Sequence, residues 1–406
     1  MAIQATQEQQ RLDQRLDCSP LLLLLRRRII QVIWVLTVLP YLLPQIAVGG
    51  EFARNPLPIV VGAIFSESGL AAPHNRPMLE MTRLAINQVN DNGGVLGRPL
   101  ELIVFDNQSS PIGSALAARQ IVLRDLTAVI GAHWSSHSLA IAPILQEAGI
   151  PMISPGSTNP EVTMGKDYIF RACFLDSFQG VAMARFARED LQAKSAVVVT
   201  NIDENYSITL GQFFSSAFQQ TGGRILSEIS YRGDATDFSE NIKELIRLKP
   251  DVVYLPGYTR DSGLCIKQAA RMGLSTTFLG GDAWDEIEKY AGPAIAGSYQ
   301  SAPWHPQVPF GASQKMQQLY YAAHGKEINN NSSPLAYDAV MILAEAITRA
   351  GSLDRKAIRD ALSTTSDFPG ATGRITFDDN GDPLRKGIII IQFRGGKQIF
   401  EKTIIP

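Results

Sequence analysis

From Ile59 onward, short runs of β-branched and apolar residues alternate with segments of helical period, and that alternation leaves few folds open. Strands separated by helices pair in parallel, because each helix carries the chain back to the starting edge of the sheet. The expected strands are Ile59 to Phe65, Leu100 to Asp106, Ala128 to Gly131, Pro151 to Ser154, Ala196 to Thr200, Arg224 to Ser230, Val252 to Leu255 and Thr277 to Leu279. Continuous runs such as Val197, Val198 and Val199 predict burial on both faces, under covering helices. Met81, Leu84, Ala85 and Val89 share one face of a helix that closes at Asn92, Gly93 and Gly94. Asp237 with Glu240 reads as a capping box ahead of Phe238, Ile242, Leu245 and Ile246, and that helix stops at Pro250.

The alternation falls into two blocks, Leu57 to Leu175 and Asp176 to Pro303, each about the size of one domain. A helical tail (Gln314 to His324, Pro334 to Arg349, Asp354 to Ser363) and two terminal apolar runs (Arg374 to Phe377, Gly387 to Phe393) must pack on those lobes. With 45% hydrophobic and 19% charged residues in 406, the chain is too apolar to be mostly disordered. Thirty-seven Lys and Arg against 39 Asp and Glu leave a net charge of −2, with no overall positive field to hold nucleic acid. Cys18, Cys173 and Cys265 lack paired CxxC spacing, so neither a disulfide framework nor a zinc site is expected, and Cys173 and Cys265 read as free and buried.

Residues 1–50 differ in kind. A polar start gives way to Leu21 to Leu25, then Arg26, Arg27 and Arg28, then an apolar stretch from Ile29 to Val48. This pattern reads as a signal peptide, cut near Gly49 or Gly50, or as a membrane anchor through 29–48. The leader cysteine, Cys18, precedes the apolar core, which disfavours lipid attachment.

In a doubly wound sheet, ligands bind beyond the carboxyl ends of the strands. Five segments sit there: Gly131 to Ser138, Gly156 to Thr158, Asp203 to Ser207, Gly257 to Arg260 and Gly280 to Asp285. Ser135 and Ser136, ahead of a helix, suit an anion such as a carboxylate, although Ser135 would equally serve as an N-cap. Ser157 and Thr158 either join them or form a turn before Pro160. Asp282 suits an ammonium group or caps a helix from Trp284. Tyr206 and Tyr258 offer hydroxyls and ring faces, or simply pack. His133 and His137 are four residues apart, but no HExxH and no third ligand accompany them, and GxSxG, GxGxxG and GxxxxGK[ST] are all missing. No catalytic residue, no metal and no cofactor is therefore expected.

Taken in order, several segments resemble the type I periplasmic substrate-binding proteins of branched-chain amino acid ABC transporters, the leucine/isoleucine/valine-binding protein family. The resemblance is carried by Asn90 to Arg98 (NDNGGVLGR), Gly149 to Thr158 (GIPMISPGST), Phe170 to Cys173 (FRAC), Asp237 to Ser239, Tyr254 to Tyr258 (YLPGY), Gly280 to Trp284 (GGDAW) and Gly373 to Asp378 (GRITFD). It implies an α/β, two-lobed Venus flytrap, each lobe a mainly parallel sheet flanked by helices. Lobe 1 would comprise 51–175 and 304–383, and lobe 2 would comprise 176–303 and 384–406, with hinge crossovers near Leu175, Pro303 and Pro383. By resemblance, Ser135, Ser136, Ser157 and Thr158 hold a ligand carboxylate, Asp282 its ammonium, and Tyr206 and Tyr258 close from the second lobe. His74 stands near where the family commonly has a Tyr-Gly pair, so His74, Trp134 and Trp284 suggest an aromatic side-chain pocket. A disulfide found in some members is lost here, where Asn107, Gln108 and Trp134 stand.

The implied function is non-enzymatic: a monomer that captures a free α-amino acid, neutral or branched-chain, and presents its closed form to an ABC permease in the periplasm. A sensor of the same fold, a binder of urea or short amides, and a hydrolase using Ser135 are the rivals.

Overall fold

The computed structural model describes residues 56–405, so the expected leader or anchor lies outside the described residues. The first sheet contains β1 (Ile59–Phe65), β2 (Leu100–Asp106), β3 (Ala128–Gly131), β4 (Met152–Ser154) and β5 (Ile169–Arg171). They pair in parallel in the order β2-β1-β3-β4-β5. Between them run α1 (Ala72–Asp91), α2 (Pro111–Leu123) and α3 (Ser135–Glu147). Alternate side chains enter separate cores. Val61, Ala63 and Ile130 face α1, while Ile64 and Val129 face Ile121 and Ile141 of α2 and α3. Gly94, which closes the α1 turn with φ +74°, has no room for a Cβ against the carbonyl of Arg98.

After β5 the chain runs through α4 (Asp176–Arg185) into the second sheet. Its parallel part is β6 (Ser195–Asn201), β7 (Arg224–Tyr231), β8 (Val252–Tyr254), β9 (Thr277–Gly280) and β10 (Tyr299–Ala302), joined through α5 (Asn205–Gln220), α6 (Ser239–Leu248), α7 (Thr259–Arg271) and α8 (Glu288–Ala291). Val197 and Val199 face one core and Val198 the other, which is the double burial the valine run predicts. The chain then returns to the first lobe. There α10 (Pro334–Ala350), preceded by α9 (Gly311–His324) and followed by α11 (Arg355–Ser363), packs on the α1 side of the sheet. A small hairpin, β11 (Phe368–Gly370) and β12 (Gly373–Ile375), leads to the last passage. β13 (Ile388–Arg394) joins β10 antiparallel, and β14 (Lys397–Ile404) closes the edge, giving the order β14-β13-β10-β9-β8-β6-β7. The chain thus passes between the two sheets three times.

The differences from expectation have local causes. β5 is three residues long, β10 (YQSA) is too polar to register as a strand, and β14 is an edge strand whose side chains are exposed or only half buried. The capping box is absent. Asp237 Oδ1 accepts from the N–H and hydroxyl of Ser239, so the side chain makes a turn of its own and α6 starts two residues later, uncapped. By contrast, Asp354 caps α11 through Ala357 N at 2.8 Å.

The last passage is anchored by buried charges. Lys386 donates to Thr372 Oγ1 at 2.6 Å, and that hydroxyl donates to Asp338 at 2.5 Å. Burial pushes the Lys386 ammonium down to about 8, opposed by the Asp338 charge.

Candidate functional site

Both sheets reverse strand order beside their first strand, β1 in one and β6 in the other, and the segments beyond their carboxyl ends meet between the lobes. On the first-lobe side, α3 opens at Ser135 with no side-chain cap, so its first backbone N–H groups are free for a ligand. Ser135 is therefore not an N-cap. Its hydroxyl oxygen accepts from Asn159 N at 3.3 Å, which leaves the hydroxyl proton to donate. Thr158 is fully buried and its hydroxyl has no partner. Ser157 departs from expectation. Its hydroxyl stays within its own surroundings, in hydrogen-bond reach of the Ala132 and His133 carbonyls and of Ser138 Oγ, and its N–H goes to Ser154 Oγ. It shapes the seat and is less free than Thr158 to serve a ligand.

Behind this seat stands Arg171, fully buried at the end of β5. It donates to Asp382 Oδ1 at 2.5 Å, to the Ser157 carbonyl at 2.5 Å and to Thr163 Oγ1 at 2.6 Å. Thr163 also donates to Asp382 at 2.7 Å. The seat is thereby tied to the turn that precedes the third passage between the sheets.

On the second-lobe side, Asp282 follows β9 and is 6% exposed. It caps no helix, because α8 begins only at Glu288. Its Oδ1 instead accepts from Gln179 Nε2 at 2.9 Å and from the Tyr206 hydroxyl at 2.9 Å. Burial holds the Asp282 carboxyl above its ordinary range, against the pull of those two donors. Asp176, at the start of α4, is fully buried and neither carboxylate oxygen has a hydrogen-bond partner. Burial, reinforced by the Asp282 charge, pushes Asp176 well up. The Thr158 hydroxyl beside it pulls the other way without reaching hydrogen-bond geometry. Tyr254 OH and Tyr258 OH are likewise buried and unpartnered.

The two sides touch. The Trp134 ring, just before α3, stacks on Tyr258 with centroids 3.8 Å apart and planes 10° from parallel. Tyr206 stacks on the same Tyr258 at 5.5 Å, and His74 tilts against Trp134 at 6.0 Å. Burial lowers the His74 pKa to about 4, so its ring is neutral at physiological pH. Ser136 Oγ donates to Glu204 Oε2 across the cleft at 3.0 Å, and Asn159 Nδ2 donates to Thr209 at 2.9 Å. In this arrangement Ser136 therefore latches the lobes together. Burial raises Glu204 to about 7, with the Ser136 hydrogen bond opposing and Asp261 and Asp203 adding to the rise.

Of the residues expected from sequence, Ser135, Thr158, Tyr206, Tyr258, Asp282 and His74 line or adjoin this cleft. Trp284 does not. It is fully buried in the second-lobe core beside Phe393, with Gly280 packed so closely that a Cβ there would strike the indole. Sequence reasoning missed Asp176, Gln179, Tyr254 and Glu204. An acid in the first turn of a helix is ordinary, and only the three-residue spacing of Asp176 and Gln179 on one face hints that they act together. Cys173 and Cys265 are free and buried, and burial pushes the Cys173 thiol up to about 12.

A two-lobed α/β molecule with its polar groups gathered between the lobes is the architecture of a solute-binding protein, and the sequence model for "periplasmic binding protein" matches residues 58–397. The chain belongs to that family. It is similar to a leucine-binding protein from Thermotoga maritima, 35% identical with a TM-score of 0.82, covering 86% of this chain and 99% of that one. It is also similar to the branched-chain amino acid transporter substrate-binding protein of Streptococcus pneumoniae in complex with isoleucine, 27% identical with a TM-score of 0.81, covering 86% and 100%. A third relative is the leucine-, isoleucine-, valine-, threonine- and alanine-binding protein of Pseudomonas aeruginosa, 29% identical over 74% of this chain and 80% of that one.

Proposed function

We propose that this protein is an extracytoplasmic receptor that captures an α-amino acid between its lobes and delivers it to an ABC transporter permease. The observation that carries the reading is the division of unpartnered polar groups. Hydroxyls and free helix N–H groups lie on the first-lobe side, and buried carboxylates and tyrosine hydroxyls on the other. Ser135, Thr158 and the α3 N-terminus receive the carboxylate, with Ser157 holding the loop in shape. Asp282 and Tyr206 receive the ammonium. Tyr258, stacked on Trp134 beside His74, bounds the side-chain pocket, and Ser136 latches to Glu204. The lobes are 51–175 with 304–383 and 176–303 with 384–406. Only the closed state makes both sets of contacts, so ligand shifts the open–closed equilibrium by its differential affinity.

On this reading the protein is a non-enzymatic monomer of the periplasm, exported by its first fifty residues or held through 29–48. Among the described residues no helix is long and apolar enough to cross a membrane. The test is thermal unfolding of the full chain against the twenty amino acids, urea and acetamide, since a ligand that binds only the folded state raises the midpoint. A rise confined to one chemical group of amino acids is expected. A rise with urea or acetamide alone, or with nothing after denaturation and refolding to strip bound ligand, removes the reading.

A further inference from the structure

We propose that the loop between α9 and α10 is a strap across the lobes, with Asp285 its catch, so that residues that touch no ligand set how readily the receptor closes. Resting on the amino-acid receptor reading, the strap adds to it a control that acts on every ligand alike. Ile328 roots the loop in the first-lobe core. From Asn329 to Ser333 every residue is Asn or Ser, a composition that ordinarily lies on a surface. Asn330, Asn331, Ser332 and Ser333 are nevertheless buried.

A buried loop must satisfy its polar groups. Asn330 does so within the loop, its Oδ1 accepting from Ser332 N at 3.1 Å and from Ser333 N at 2.7 Å. Its neighbours reach the second lobe. Asn331 N donates to Asp285 Oδ1 at 2.7 Å, and Asn331 Nδ2 donates to Gln398 Oε1 of β14 at 2.6 Å. The Ser332 hydroxyl donates to the Asp282 carbonyl at 3.2 Å, and Asn329 Nδ2 donates to Glu286 Oε1 at 2.8 Å. The receiving segment is held on its own side. Thr259 Oγ1, at the start of α7, lies 2.9 Å from the Asp285 carbonyl, and Glu286 takes a φ of +57°, which a residue with a side chain seldom adopts. Unlike the three covalent passages, these contacts last only while the two segments stay together, so they weigh on one arrangement of the lobes. Burial pushes the Asp285 carboxyl up to about 7, opposed by the Ser332 hydroxyl and the Asn331 N–H and reinforced by the Asp282 and Glu286 charges. A neutral amide can therefore stand in for it.

The experiment is calorimetric titration of the full chain with the two amino acids that give the largest thermal shifts, joined to hydrogen exchange of residues 326–333 and 282–288. In the wild type both segments should exchange at least roughly tenfold more slowly with ligand bound. Asp285→Ala should weaken both amino acids by the same factor, roughly tenfold, since the closed fraction multiplies every affinity alike. Asp285→Asn keeps the acceptor and should return both to within about threefold of the wild type. Should Asp285→Ala fail to fold, judged by circular dichroism, Asn329→Ala combined with Gln398→Ala cuts the outer contacts and should weaken both amino acids equally, by roughly fivefold. Exchange unmoved by ligand, unchanged affinity in a folded variant, no rescue by Asn, or weakening that differs between the two amino acids by more than about threefold would each overturn the strap and leave the receptor reading in place. A wild type that binds no amino acid removes both.

Discussion

The two walls of the cleft are built on opposite principles. On the first-lobe wall, Ser154 and Ser157 converge with Ser138 on the Ala132 carbonyl, and Arg171 locks the Ser157 carbonyl from behind. Across the cleft, both oxygens of Asp176 and the hydroxyls of Tyr254 and Tyr258 are buried without partners. The first wall is preorganised, its polar groups ordered by folding itself, which on the proposed reading lowers the cost of seating a carboxylate there. The second wall remains incomplete until something brings it positive charge and donors. On the proposed reading, the ligand docks on the rigid seat and the unsatisfied side closes over it.

The largest way to break this contrast is Arg171→Met. It leaves Asp382 buried beside an unsatisfied Ser157 carbonyl and should lower unfolding free energy by about 3–5 kcal/mol, read from the urea midpoint. A loss below about 1 kcal/mol would show that the first wall does not depend on this anchor. The corresponding change on the second wall should act on binding and not on stability. Gly281 packs against the Tyr206 hydroxyl with no room for a Cβ, so Gly281→Ala should push that hydroxyl off Asp282. Amino-acid affinity is expected to fall by roughly tenfold or more, with a far smaller change in thermal midpoint. A collapse in stability with affinity intact would erase the distinction between the walls.

The third prediction sharpens the contact between them. In the closed arrangement Glu204 titrates at about 7, above its ordinary value near 4.5. Closing then favours the protonated form. Its contribution to closure is full below the ordinary value, and fades as pH rises through about 7. The ratio of wild-type to Glu204→Gln affinity should therefore fall by about tenfold or more between pH 5 and pH 7.5. A ratio independent of pH would mean that Glu204 is solvated before and after closure, with no latch to Ser136.

Much of the fold was legible because it is written in local periodicity. The buried runs around Val61, Val129, Val198 and Val253 needed no knowledge of their neighbours, and strand-helix alternation then implied parallel pairing. β5, β10 and β14 escaped because their pairing partners, not their own composition, make them strands. The site followed the same rule. Ser135, Thr158, Tyr206, Tyr258 and Asp282 could be singled out from their positions after strands, together with the family resemblance. Trp284 was misread because an aromatic just after a strand can turn toward either the cleft or the core.

By itself, then, the sequence determined the order of elements, the two-block division, and which residues stand beyond the carboxyl ends of the sheets. Tertiary structure alone decided that Ser157 is engaged inside its loop, that Ser136 meets Glu204, that Arg171 reaches Asp382, and that Asp176 is buried beside the Thr158 hydroxyl. The physical reason is one of range. Periodicity and turn chemistry act over a few residues, whereas a buried polar atom is satisfied or left wanting by groups such as Gln179 and Asp282, or Arg171 and Asp382, that only folding brings within hydrogen-bond distance.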